Sequence, residues 1–185
     1  MIKLRHIPNV LTLSRIIAVP LWLVSFYYDW YVFCIFIIIY SAITDYIDGW
    51  LARKLEFTSI LGESLDPIAD KIFLSVVLIS YVSDARINFI LVSIIISREI
   101  IVSSLREILA KYNKPNVLKV SFLAKLKTSF QFLTIFVIGC IPLNTSLSKE
   151  IQFYGLVLLY ITTFITIFTG YKYVISSIKE FKSIK

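Results

Sequence analysis

The sequence predicts an all-α integral membrane protein with six transmembrane helices. Three observations support this fold class. Apolar residues make up 58% of the 185 positions, against roughly 45–50% in soluble domains. Six apolar stretches follow one another with short connections, and the basic residues are divided very unevenly between the two sets of connections. This composition excludes a soluble globular domain, a disordered chain and a secreted module built on disulfides.

The apolar stretches run along the whole chain, which we interpret as one membrane domain, residues 1–185. In chain order they are Val10–Tyr28, Tyr31–Tyr46, Ile68–Val82, Ile87–Ile108, Phe130–Ile141 and Gln152–Tyr173. A helix needs about 20 residues to cross the hydrocarbon core, so the fifth stretch spans it only if its helix begins near Phe122. The first stretch resembles a signal peptide. Because no pair of small residues at cleavage-site spacing follows Val24, we predict a retained first span.

The basic residues predict the orientation in the membrane. Of the 19 Lys and Arg residues, all but Arg86 and Lys149 fall on the side that holds both termini. Basic residues accumulate in cytoplasmic loops, so both termini are predicted to be cytoplasmic. The net charge of +7 then lies at an anionic leaflet and can gather anionic substrates there. Because these charges lie at the ends of spans rather than on a soluble face, nucleic acid is not predicted as a partner.

Cysteine and histidine contribute little to the predicted chemistry. Cys34 and Cys140 lie inside apolar runs and are interpreted as small buried hydrophobes rather than a redox or metal pair. The single histidine, His6, lies next to the N-terminus. A zinc site with several histidine ligands or a histidine-based catalytic triad is therefore not expected. Any polar chemistry must therefore come from carboxylates, Arg and Lys.

Four aspartates are spaced so that two adjoining helices point them at one another. Asp45 and Asp48 are three residues apart and share one face of the second helix. Asp66 and Asp70 are four residues apart and do the same at the start of the third helix. Four converging negative charges repel one another, and bound cations relieve that repulsion. All-oxygen ligands favour Mg²⁺ or Mn²⁺, so we predict a site for divalent metal ions.

The connection between these two helices is predicted to reverse tightly. Gly62 suits such a reversal, and Pro67 fits the first turn of the third helix, where its missing N–H costs nothing. In the alternative interpretation the aspartates are helix caps and interfacial charges, and Asp66 alone fits an N-cap. Capping does not explain Asp45 and Asp48, because negative charge near the end of a helix opposes the macrodipole.

Small residues and an arginine follow the first aspartate pair. Gly49 and Ala52 lie on or near the face of Asp48 and leave room for a ligand to approach, and the neighbouring Arg53 can bind a phosphate. A small-residue face beside metal ions and an arginine suits a diphosphate. Close helix packing, which is common in membranes, is the alternative interpretation of the two small residues.

The segment from Asp45 to Asp70 resembles the signature of the CDP-alcohol phosphatidyltransferase family and matches it at every defined position. The resemblance implies six transmembrane helices around a polar active site that faces the cytoplasm. It implies transfer of a phosphatidyl group from CDP-diacylglycerol to an alcohol. It also implies that Asp45, Asp48 and Asp66 bind two divalent metal ions, and that Asp70 is both a ligand and the general base.

The same resemblance implies which residues bind the CDP group. They are Asn9, Thr12, Gly49, Arg53 and Ser59. The family often has Thr at the position of Ser59, whose hydroxyl can do the same work. Asn9 and Thr12 lie in a stretch from Ile7 to Arg15 that resembles bacterial members of the family. Structural interpretations of this stretch make Asn9 an N-cap and Arg15 a snorkelling interfacial side chain.

Similarity to the bacterial members runs from about Ile7 to Gln131 and implies glycerol 3-phosphate as the acceptor, with its phosphate bound by basic residues. These are Arg98, Arg106, Lys125 and Lys127. Arg98 and Arg106 lie about 12 Å apart along an ideal helix, too far to clasp one phosphate without help. Lys125 and Lys127 diverge on a helix, so at most one is expected to face the site.

Two alternatives to this function stay open at the level of sequence. The first keeps the reaction and changes the acceptor to phosphatidylglycerol, serine or inositol phosphate. The second is a transporter whose intramembrane carboxylates bind a cation, which leaves Gly49, Arg53 and Gly62 unexplained. The resemblance further implies a bacterial cytoplasmic membrane as the location and a homodimer as the assembly.

Overall fold

A computed structural model describes residues 7–55, 60–112, 122–143 and 147–184, with side chains for residues 10–47, 68–112, 126–143 and 147–182. Within these ranges the chain forms six α-helices and one 3₁₀ turn, and no strand. The helices are α1 (Ile7–Tyr27), α2 (Tyr31–Leu55), α3 (Ile60–Ser83), α4 (Phe89–Lys111), α5 (Phe122–Gly139) and α6 (Ser148–Ile184). The predicted all-α fold class is confirmed.

Several helices run beyond the apolar stretches that predict them. α2 extends to Leu55 and α6 to Ile184, and α3 begins at Ile60. α5 begins at Phe122, as the longer of its two predicted forms requires. The additional turns are rich in polar residues. Hydropathy reports the part of a helix that suits hydrocarbon, whereas the backbone hydrogen bonds of a helix can continue beyond that part.

The early start of α3 shows that three predictions about the connection are wrong. Gly62 lies in the first turn of α3, and Asp66 and Pro67 lie in the interior of this helix, so Asp66 is not an N-cap. Proline is tolerated inside membrane helices because neighbouring groups satisfy the carbonyl that it leaves free. Asn9 is likewise no N-cap, because α1 begins at Ile7.

The helices pack as two sets that meet across α2 and α3. α1 packs on α2 and α3, α6 packs on α4 and α5, and contacts of α2 with α5 and of α3 with α4 and α5 join the sets. Aromatic side chains fill the centre, where the Trp22 ring lies edge-on to Phe73 and Tyr81 at 6.2 and 5.9 Å between centroids. The Tyr81 hydroxyl donates to the carbonyl of Ile135 at 2.8 Å. This core fixes the relative positions of the helix ends that carry the polar clusters.

The outer surface suits lipid. Within the described residues, three helices are long and apolar enough to cross a membrane, over Val10–Tyr27, Leu126–Leu143 and Ser148–Lys182. α2 has a shorter apolar run, Tyr31–Ile47, and the charged residues Arg98 and Glu99 break the apolar sequence of α4, which is one continuous helix. Large apolar side chains point outwards, among them Phe36 on α2 and Phe164 on α6, which are 62% and 71% exposed. A chain with so much outward apolar surface is a membrane protein.

One end of the bundle holds a buried arginine. Arg86, in the connection between α3 and α4, contacts the Asp84 carboxylate at 2.6 Å. Its guanidinium carbon lies 5.4, 5.1 and 5.4 Å from the ring centroids of Phe26, Tyr31 and Tyr81, which belong to α1, α2 and α3. Arg86 is 8% exposed. Its positive charge is therefore part of the packing rather than a free charge of the loop.

Arg86→Ala is expected to lower the free energy of unfolding by about 2 kcal/mol or more, because desolvated cation–π contacts contribute that much. The measurement is the unfolding temperature in detergent micelles. Lys149→Ala, at an exposed position at the start of α6, is the matched control and should unfold like the wild type. An unchanged unfolding temperature for Arg86→Ala would contradict the structural role.

Candidate active site

Two of the four predicted metal ligands meet at one buried guanidinium. Asp45 lies on α2 and Asp70 on α3, and Arg15 of α1 contacts both carboxylates. Nη1 of Arg15 donates to Asp70, and it lies 3.5 Å from Oδ1 of Asp45. The Arg15 side chain is 1% exposed, whereas those of Asp45 and Asp70 are 35% and 32% exposed. Three helices therefore converge on a site whose carboxylates remain accessible.

Arg15 does not snorkel to the membrane surface, so that interpretation is wrong. Carboxylates on two other helices give its guanidinium charge-assisted hydrogen bonds inside the bundle. Thr12, a predicted CDP ligand, lies one turn earlier on α1, on the same face, and is 1% exposed. The spacing of Thr12 and Arg15 was a signal for this inward polar face, but the sequence does not reveal which carboxylates it meets.

The described carboxylates fit a divalent metal ion. Asp45 and Asp70 supply only oxygen ligands, which Mg²⁺ and Mn²⁺ prefer, and both reach a single nitrogen of Arg15. Asp48 follows Asp45 by one turn of α2, and Asp66 precedes Asp70 by one turn of α3. The side chains of Asp48 and Asp66 lie outside the described residues. Among the side chains that are described, no group of three metal-ligating residues occurs.

Several other predicted residues also lie outside the described part. Ser59 falls between α2 and α3, outside the described chain. For four more, the structure gives only the place of the backbone in a helix: Asn9 on α1, Gly49 and Arg53 on α2, and Lys125 on α5.

A second polar cluster is built around Glu99 of α4. Its Oε1 accepts hydrogen bonds from Lys127 at 2.5 Å, Arg98 at 3.3 Å and Gln131 at 3.4 Å. Glu99, Lys127 and Gln131 are 9%, 5% and 4% exposed. Lys127 therefore faces the bundle interior, next to Arg98. Glu99 and Gln131 are not among the predicted site residues, although Lys127 and Gln131 share a helix face at a spacing of four.

Tyr173 of α6 brings Arg98 and Arg106 together. Their guanidinium carbons lie 5.6 and 5.2 Å from the centroid of its ring. Nη2 of Arg106 donates to the Tyr173 hydroxyl at 3.3 Å, and Nη2 of Arg98 donates to Oγ1 of Thr169 at 3.0 Å. The two arginines are too far apart along α4 to reach one phosphate by themselves, and a residue of α6 brings them together. The sequence patterns predict no site residue on this helix.

The two clusters adjoin. Lys71 follows Asp70 on α3 and is half-buried, and it lies within electrostatic range of Asp70, Glu99, Arg98 and Arg106. The cluster on α4, α5 and α6 thus holds more positive than negative charge and lies beside the carboxylates of α2 and α3. Such an arrangement can bind an anion next to a group that accepts a proton.

Known proteins are similar to this chain over most of its length. The family model described as CDP-alcohol phosphatidyltransferase matches residues 5–168. A protein of Wigglesworthia glossinidia brevipalpis, named CDP-diacylglycerol–glycerol-3-phosphate 3-phosphatidyltransferase, is 46% identical over 138 residues, which are 71% of this chain and 75% of that protein.

Two further relatives with the same name match nearly the whole chain. The protein of Rickettsia bellii (strain RML369-C) is 37% identical over 91% of this chain and 93% of its own length. That of Blochmanniella floridana is 38% identical over 94% of this chain and 92% of its own length. The family model and these relatives together lead to one conclusion: the chain belongs to the CDP-alcohol phosphatidyltransferase family.

Proposed function

We propose that this protein transfers the phosphatidyl group of CDP-diacylglycerol to the 1-hydroxyl of sn-glycerol 3-phosphate, releasing CMP, in the synthesis of anionic phospholipids. The observation that carries the proposal is the neighbourhood of two charged clusters in a member of this family. Carboxylates lie on α2 and α3, basic residues lie on α4 and α5 against Tyr173 of α6, and Lys71 lies between them. The printed name of relatives that cover more than nine-tenths of the chain supports this choice of acceptor.

The carboxylate cluster serves the donor substrate. Two divalent ions, Mg²⁺ or Mn²⁺, would be held by Asp45, Asp48, Asp66 and Asp70. When bound, such ions neutralise a diphosphate and stabilise the departing CMP. The CDP group would be bound by Asn9, Thr12, Gly49, Arg53 and Ser59. The acyl chains stay in the bilayer while the polar groups react at its edge.

Asp70 is the residue that takes the proton of the acceptor hydroxyl. The acceptor oxygen forms a bond to the phosphatidyl phosphorus, the bond from that phosphorus to CMP breaks, and the hydroxyl proton passes to the Asp70 carboxylate. Its side chain is 32% exposed, which leaves it open to the acceptor. The contact from Arg15 holds this carboxylate beside Asp45.

The basic cluster serves the acceptor. Glycerol 3-phosphate carries about two negative charges, which need positive partners at a site that is partly dry. Arg98, Arg106 and Lys127 lie together there, and Lys125 would add a fourth charge. Glu99 orients Lys127 and Arg98 through the hydrogen bonds that its carboxylate accepts.

We also propose a bacterial cytoplasmic membrane as the location, with both termini in the cytoplasm, and a homodimer as the assembly. Of the two basic residues predicted on the opposite side, Arg86 is buried among aromatic rings. Lys149 is the exposed one of the pair. The proposed orientation rests on the uneven division of basic residues along the chain. The homodimer rests on the family resemblance.

CMP release is expected to be fastest with glycerol 3-phosphate. Purified protein in micelles receives CDP-diacylglycerol and Mg²⁺, and glycerol 3-phosphate, serine, inositol phosphate and phosphatidylglycerol are offered separately.

Arg106→Gln should raise the KM for glycerol 3-phosphate about ten- to a hundred-fold, because it removes a charge-assisted contact. The KM for CDP-diacylglycerol should stay nearly unchanged, since only acceptor binding is lost.

Lys111→Gln, on the same helix and 72% exposed at its side chain, is the matched control and should behave like the wild type. A better rate with serine or phosphatidylglycerol would overturn the acceptor and leave phosphatidyl transfer standing. No CMP release with any acceptor would count against the enzyme activity and favour a cation-binding transporter.

A further inference from the structure

We propose that Tyr173 is a positioning residue for the acceptor phosphate. It holds Arg98 and Arg106 so that both guanidinium groups bind the same anion. The inference rests on the proposed function and extends it to α6. Tyr173 acts together with two residues of the preceding turn, and we call Thr169, Gly170 and Tyr173 the α6 cradle.

The first step is the distance that separates the two arginines. They are eight residues apart on α4, about 12 Å along the helix axis, so α4 alone does not bring them to one phosphate. Both guanidinium carbons nevertheless lie over the ring of Tyr173, at 5.6 and 5.2 Å from its centroid. One side chain of another helix therefore sets the position of both cations.

The second step is the chemistry of the contact. A guanidinium is attracted to the face of an aromatic ring by the ring quadrupole, and this attraction uses none of its N–H donors. Among the described residues, Nε of Arg98 and Nε of Arg106 have no hydrogen-bond partner, and the one hydrogen bond of Arg106 goes to the Tyr173 hydroxyl. Phosphate oxygens are the acceptors that such a fork of donors fits best.

The third step is the space that Gly170 leaves. A Cβ atom at this position would lie 2.8 Å from Cγ and 3.4 Å from Nε of Arg98. The stem of Arg98 therefore rests on the backbone of α6. Thr169 then accepts from Nη2 of the same arginine at 3.0 Å. The three cradle residues lie on one face of α6, at spacings of three and four from Tyr173.

The fourth step is the support behind the ring. Tyr173 is 8% exposed and packs in a small apolar cluster with Val102 and Leu109 of α4. Val102 lies one turn after Arg98 and one turn before Arg106, so the apolar contact anchors the ring midway between them. A ring held in this way presents a fixed surface to both arginines.

The test compares Tyr173→Leu, Tyr173→Phe and Gly170→Ala with the exposed neighbour Tyr171→Leu as control. Tyr173→Leu removes both cation–π contacts and should raise the KM for glycerol 3-phosphate about ten- to thirty-fold. Tyr173→Phe keeps the aromatic ring and loses the hydroxyl, so the KM should rise only about two- to fivefold. Gly170→Ala should raise it because the new methyl displaces Arg98. The KM for CDP-diacylglycerol should stay within about twofold in every variant.

A binding measurement without turnover complements the kinetics. Glycerol 3-phosphate should raise the unfolding temperature of the wild type, since a ligand that binds the folded state stabilises it. Tyr173→Leu should lose most of that rise, and Tyr173→Phe should keep most of it. A rise that is unchanged in Tyr173→Leu would overturn the proposal.

The remaining outcomes are also decisive. An equal increase in the KM for both substrates would mean that Tyr173 only supports the fold, and would overturn its role toward the phosphate. If Tyr173→Leu unfolds in micelles, the test passes to Tyr173→Phe and Gly170→Ala, and wild-type constants in both would overturn the proposal. Failure of the wild type to use glycerol 3-phosphate would overturn the proposed acceptor instead, which keeps the two failures distinct.

Discussion

Asp70→Asn is expected to slow CMP release by at least about 10²–10⁴-fold, the range typical for loss of a general base. Asparagine keeps the shape of the side chain and removes the group that accepts the proton. Binding of CDP-diacylglycerol should be retained better than turnover, because the CDP-binding residues and the other three predicted metal ligands are unchanged; loss of this charge weakens metal binding in part. The measurement pairs single-turnover CMP release with a separate titration of the donor lipid.

This substitution also removes a partner of the buried Arg15, so stability has to be measured alongside activity. Asp29→Asn is the matched control. Asp29 lies at the α1–α2 connection with a φ of 58°, a left-handed conformation that asparagine adopts readily, and its carboxylate contacts the Tyr31 hydroxyl at the other end of the bundle. The control should release CMP at the wild-type rate. Near-normal turnover of folded Asp70→Asn would place the base elsewhere.

Removal of divalent metal is expected to abolish CMP release, and Mg²⁺ or Mn²⁺ should restore it. The basis is the convergence of Asp45 and Asp70 from two helices, with Asp48 and Asp66 each one helical turn away. Carboxylates gathered in this way are stabilised by a bound cation. The assay strips the protein with a chelator, removes the chelator and titrates each metal back.

A readout independent of turnover accompanies that titration. Mg²⁺ should raise the unfolding temperature of the stripped wild type, because it binds the folded state. Asp45→Asn should respond less, since it removes one ligand, whereas Asp84→Asn, in the connection after α3, should respond like the wild type. Full activity of thoroughly stripped protein would contradict the metal site.

The helices and the shared face of each aspartate pair are predictable because they follow from local periodicity. Apolar runs of spanning length reveal membrane helices, and spacings of three and four place aspartates on one face. The start of α3 was placed wrongly because Pro67 marks the first turn of many soluble helices, whereas a membrane helix tolerates proline inside.

Arg15 and Tyr173 were missed for a different physical reason. Each acts through a partner on another helix: Arg15 through carboxylates on α2 and α3, and Tyr173 through two arginines on α4. No local pattern encodes such pairings, because they depend on how the helices pack. Tyr173 also lies at the end of an apolar stretch, where an aromatic residue is ordinarily interpreted as a membrane-interface anchor.

The length of α6 predicts the depth in the bilayer at which the reaction takes place. This helix has 37 residues and rises about 55 Å at 1.5 Å per residue, against roughly 30 Å of hydrocarbon. Tyr173 lies roughly 37 Å along the helix from Ser148, just past the thickness of one hydrocarbon core. If α6 enters the hydrocarbon near Ser148, Tyr173 is expected at the opposite membrane surface, where a water-soluble acceptor and the head group of a lipid donor can meet. Shortening the apolar part of α6 by one turn would move the α6 cradle about 5 Å towards the centre of the bilayer. A doubly charged acceptor is not expected to enter hydrocarbon to that depth.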